Sequence, residues 1–163
     1  MPAAVEPIVP GWLTPATQQL VGQLLHSHAQ AFGRPLLAGL GADATPLQWS
    51  QALFAAATVV LAHDGADPGG DPGPRLIYAN RAALRLWRRP WDALVGMPSR
   101  LTAEPAERAG RAQALASVQR QHAISDYAGV RIDSQGRRFQ IRGARVWTLP
   151  CGQAAAFSDW HWL

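Results

Sequence analysis

Apolar positions recur at helical spacing early in the chain. Leu20, Leu24, His28 and Ala31 share one face over residues 16–33, with Val21 and Leu25 beside it. Gly33 and Pro35 close that helix. Residues 1–15 carry four prolines and read as an extended lead-in, and residues 36–46 as a Gly-rich linker. Thr45 is a suitable N-cap and Pro46 a suitable first residue for a second helix. The apolar run over 47–62 ends in Thr58-Val59-Val60-Leu61, which is β-branched, and its periodicity fits helix or strand equally. Residues 63–74, HDGADPGGDPGP, are a loop.

A short strand, Arg75–Ala79, follows, and Asn80 caps the helix RAALRLW. Leu84 and Trp87 are expected to face inward, and Arg81 and Arg85 outward. Pro90 ends this helix, and WDALVG adds one more turn closed by Gly96. Pro105 opens the longest helix, about 105–121, with Glu104 and Glu107 near its positive end. The period then changes to two. Ala128, Val130 and Ile132 alternate with Gly129 and Arg131. Asp133–Gly136 makes a hairpin loop, and Phe139 and Ile141 alternate on the return strand, with a slip near Gly143. Pro150–Gly152 turns the chain into a last strand over 153–160.

Composition narrows the class. With 163 residues, 48% hydrophobic and 16% charged, the chain can bury a core, and disorder is excluded. One cysteine, Cys151, excludes an internal disulfide and a Cys-rich zinc site. The longest apolar run, Ala52–Ala62, is far short of the ~20 residues of a membrane span. The first twelve residues lack the basic and apolar segments of a signal peptide, so the expectation is a cytoplasmic protein without membrane partners. The net charge is +4 and every one of the fifteen basic residues is arginine. They are scattered, not clustered with aromatics, which argues for a solvated surface over a nucleic-acid patch.

The segments YANRAALRLW, MPSRLTAEPAERAGRA, GVRIDSQGRRFQIRGARVW and GQAAAF together resemble the MEKHLA domain, a PAS-like family. The resemblance spans roughly residues 16–160 and is to the stand-alone bacterial type. It implies an α+β fold: a PAS-like five-stranded antiparallel sheet with helices on one face, plus an N-terminal helical extension. The expected division is an extension over 1–46 and a PAS-like core over 47–163. The implied role is sensory or regulatory and non-catalytic.

PAS domains hold ligands between sheet and helices, and light-oxygen-voltage domains carry Gly-x-Asn-Cys-Arg-Phe-Leu-Gln there. This chain reads Gly96-Met97-Pro98-Ser99-Arg100-Leu101-Thr102-Ala103. Ser99 falls at the photoreactive cysteine, and a hydroxyl that stays protonated cannot form the flavin adduct. Arg100 matches the flavin-phosphate position, but the amide residues expected on the later strands are missing, so no cofactor is assigned. No histidine pair has metal-ligand spacing: His26 and His28 point in different directions on a helix, and only His122 comes near a haem-ligand position. No nucleophile elbow or phosphate-cradling loop is present.

Tyr78, Asn80, Trp87, Ser99, Arg100, Tyr127 and Phe139 are the candidates to line a small-molecule pocket. Arg100 is the expected anchor for an anionic group. The alternative is a ligand-free dimerisation module, a homodimer or a contact with a separate signalling partner, using the sheet or the helix over 16–33.

Overall fold

The computed structural model describes residues 1–5 and 7–163. A 3-10 turn, Gly11–Leu13, leads into α1 (Pro15–Phe32). The Thr14 hydroxyl accepts from Thr17 N–H at its start, and Gly33 closes it at φ 67°. In α2 (Pro46–Ala55), Thr45 and Gln48 form a reciprocal capping box. The ambiguous apolar run therefore divides. Its first part is α2, and its β-branched end is strand β1 (Val59–His63).

Strand β2 (Leu76–Ala79) is followed by α3 (Arg81–Trp87) and α4 (Trp91–Leu94). A 3-10 turn, Ser99–Thr102, precedes α5 (Pro105–Gln121). Strands β3 (Ala123–Ile132), β4 (Arg138–Leu149), β5 (Gly152–Phe157) and β6 (Asp159–Trp162) complete the chain. The expected last strand is two: it breaks at Ser158, and β6 pairs with the first half of β4 while β5 pairs with the second.

The antiparallel order is β2-β1-β5-β4-β3, with β6 added beside β4. Both faces are covered, because alternate residues point to opposite sides of each strand. Val59 and Phe157 face a core with Trp87, Leu86 and Leu94 of α3 and α4. Val60, Ala62, Ala154, Ala156 and Trp147 face the other way, onto Val21 and Leu24 of α1 and Leu53 of α2. The amphipathic stripe of α1 is thus spent on its own sheet. Trp147 Nε1 donates to Ser27 Oγ at 2.9 Å, and Arg145 Nε donates to His28 Nε2 at 2.9 Å. Neither that sheet face nor the apolar face of α1 is free to receive a partner.

In α3 Trp87 is buried and Leu84 packs half-buried against the same core, with Ala83 and Leu86 buried beside them and Arg81 and Arg85 exposed. One side-chain orientation differs from the sequence expectation. In β3 the buried member is Arg131, whereas Val130 and Ile132 are half-buried. Bulges on either side of Tyr127 and a left-handed Asp126 (φ 57°) shift the phase of β3 against β4. Among the described residues no helix is long and apolar enough to cross a membrane.

Candidate functional site

Between the sheet and α5 lies a cavity of about 70 Å³. Its floor is the inner face of the sheet, including Leu61 and His63 of β1, Gln153 and Ala155 of β5, and Val146 of β4. Its roof is α5, where Arg111, Leu115 and Val118 form one buried stripe at helical spacing, with Ala114 beside it. Tyr127 and Arg131 of β3 close one side, and Trp87, Ser99 and Thr102 another.

The polar groups are few and specific. Arg111 Nη2 donates to Ser99 Oγ at 2.6 Å, and Arg131 Nη2 donates to Tyr127 Oη at 2.9 Å. Both guanidiniums are buried, and neither forms an ion pair among the described residues. Burial, and then the like charge of Arg131, lower the Arg111 pKa to about 10. The Gly65 N–H donates to His63 Nδ1 at 3.0 Å. Burial first, then the Arg111 charge, lowers the His63 pKa to about 4. The ring is therefore neutral and carries its proton on Nε2. That Nε2 and Gln153 Oε1 are buried without hydrogen-bond partners. Gln153 Nε2 donates to the Leu115 carbonyl at 3.1 Å and so ties β5 to α5.

Of the seven sequence-predicted residues, Trp87, Ser99 and Tyr127 line this cavity. Phe139 sits behind Trp87, ring centroids 5.1 Å apart, in an aromatic cluster with Trp160 and Trp162. Tyr78 lies on the opposite side of the sheet against Trp91. Asn80 is fully buried and serves the backbone: it accepts from Val60 and Ala83 N–H and donates to the Leu53 and Thr58 carbonyls.

Arg100 follows the inward-facing Ser99 but is absent from the cavity lining, is 39% exposed and pairs with Asp71 at 3.3 Å. The cations at the cavity are Arg111 and Arg131. Glu104 pairs with Arg138, at 2.6 Å.

The missed residues left readable traces. Arg111 heads the stripe that Leu115 and Val118 continue, and His63 ends the Val59–Leu61 alternation. Among the described residues no group of three or more His, Cys, Asp or Glu side chains could hold a metal ion.

This architecture, a 2-1-5-4-3 antiparallel sheet with a cavity under its helices, defines a PAS-type fold. The MEKHLA domain model matches residues 18–162, and the chain belongs to that family. Solved structures agree on the fold. A PAS domain from Colwellia psychrerythraea is 13% identical, with a TM-score of 0.57, covering 69% of this chain and 93% of that one. An RNA-binding light-oxygen-voltage receptor is 16% identical with a TM-score of 0.58, covering 76% of this chain and 35% of the receptor. A light-oxygen-voltage domain studied with a flavin analogue is 15% identical with a TM-score of 0.52, covering 76% and 88%. No curated protein matches the chain.

Proposed function

We propose that this protein is a non-catalytic sensory or regulatory module, holding a small ligand in the cavity and signalling through contact with another protein. The observation that carries this reading is the group of buried polar atoms around the cavity. Arg111 and Arg131 are buried there with no ion pair among the described residues, and a buried charge costs stability unless something answers it. PAS-type folds in the light-oxygen-voltage proteins above support a sensing role by analogy of fold.

Binding, not catalysis, fits the chemistry. The partner of Ser99 Oγ is a guanidinium, which cannot take its proton, so Ser99 is not an activated nucleophile. The contact between Gln153 and the Leu115 carbonyl gives a ligand at β5 a direct route to α5. Within the extension over residues 1–46, α1 covers the outer face of the sheet, and residues 47–163 form the sensing core. The exposed free thiol of Cys151 suits a reducing compartment such as the cytoplasm.

Native mass spectrometry and an absorbance spectrum of the purified protein test this reading. Mass above that of the denatured chain is expected. A bare chain of unliganded mass would overturn ligand binding in favour of the interaction module.

A further inference from the structure

Two buried arginines at one small cavity need explanation. A buried guanidinium is costly unless a counter-charge answers it, and two together repel each other. None of the residues lining the cavity is an aspartate or glutamate. The two ion pairs among the described residues, Arg100–Asp71 and Arg138–Glu104, involve neither Arg111 nor Arg131. Ser99 and Tyr127 accept one hydrogen bond from each guanidinium but bring no charge. On the same lining, the unpartnered His63 Nε2–H is a third donor, from a side chain 6% exposed. The rest of the lining is mainly Leu, Ile, Val, Ala and aromatic carbon.

We infer that the cavity takes a small monoanionic carboxylate with an apolar tail, its carboxylate held by Arg111 and Arg131 with His63 as a further donor. This rests on the ligand-binding reading above and names its ligand class. Planar guanidiniums match a carboxylate with paired hydrogen bonds. A single negative charge answers the arginines at the least desolvation cost in an apolar enclosure. The volume sets the size. The cavity is about 70 Å³, against about 150 Å³ for an apolar cavity that takes benzene, so a chain of a few carbons suits it.

The test is calorimetric titration of the full chain with butanoate, butanamide, butan-1-ol and inorganic phosphate. Butanoate should bind at least about tenfold more tightly than the amide, the alcohol or phosphate. Arg111→Gln and Arg131→Gln, checked for folding by circular dichroism, should each lose that preference. Equal affinity for butanoate and butanamide would overturn the carboxylate and leave the small-ligand reading intact. Phosphate binding as tightly as butanoate would overturn the apolar tail. If nothing in the panel binds but native mass spectrometry still detects a ligand, only the ligand class fails. If it also detects a bare chain, the underlying reading fails with it.

Discussion

Arg111 reaches across the cavity from α5 to Ser99, Nη2 to Oγ at 2.6 Å, and brings a full charge to a hydroxyl that cannot neutralise it. The Ser99 hydroxyl thus orients a buried cation at the cavity.

This pairing predicts a stability cost. Arg111→Met in ligand-free protein removes a buried, unpaired charge and keeps a side chain of similar length. The melting temperature should rise by about 2–4 °C for each kcal/mol gained. Differential scanning calorimetry checks it. A fall in Tm would make Arg111 a structural strut rather than a binding group.

Asn80 carries the opposite expectation. Its amide satisfies two backbone donors and two carbonyls from α2, β1 and α3, all at a fully buried position. Asn80→Ala leaves these groups unanswered and should cost about 3 kcal/mol or more by urea denaturation, with no direct effect on ligand affinity. Asn80→Asp should not rescue it, because a carboxylate sets acceptors against the Leu53 and Thr58 carbonyls. A loss below about 1 kcal/mol would contradict this role.

Two histidines predict acid sensitivity. His28 is neutral, with Nε2 accepting from Arg145 and Nδ1 facing the Arg34 carbonyl. Burial, then the Arg145 charge, lowers its pKa from 6.5 to about 4. His63 is lowered to about 4 as well, facing Arg111 and Asp64. Above pH 6.5 both rings are neutral whether folded or unfolded, and neither changes stability. As the pH falls below 6.5, the unfolded chain takes up protons first. Stability then declines until about pH 4, by on the order of 3 kcal/mol per histidine. Urea midpoints at pH 7 and pH 4.5 should differ accordingly, and imidazole NMR titrations should have midpoints near 4 for both rings. Midpoints near 6.5 would contradict it.

The elements were legible because their signals are local. Thr45-Pro46, Asn80, Pro105 and the Asp133–Gly136 turn mark boundaries through capping and turn chemistry that needs no tertiary context. The site was legible in part. Trp87 and Ser99 lie in motifs that carry the family resemblance, Tyr127 stands two residues before another, and the three meet at the cavity. Arg111 and Arg131 were hidden because arginine ordinarily marks the solvent side of a helix or strand. The alternation of Ala128, Val130 and Ile132 places Arg131 outward. Only the phase of β3, reset by the bulges at Tyr127, and the apolar stripe of α5 turn the two arginines inward. Arg100 misled for the complementary reason: a motif position fixed its place along the chain, but the turn at Ser99–Thr102 sends consecutive side chains to opposite sides.

A ligand held in this cavity must be displaced when the cavity is filled. Ala155 lies on the cavity floor in β5, opposite Leu61 and Val146. Ala155→Leu places a larger apolar side chain on that floor. Native mass spectrometry of wild type and this variant, with folding verified by circular dichroism, reads the claim directly. A bound small molecule on the wild type and a bare chain for Ala155→Leu is the predicted result. The same added mass on both, or on neither, would contradict it.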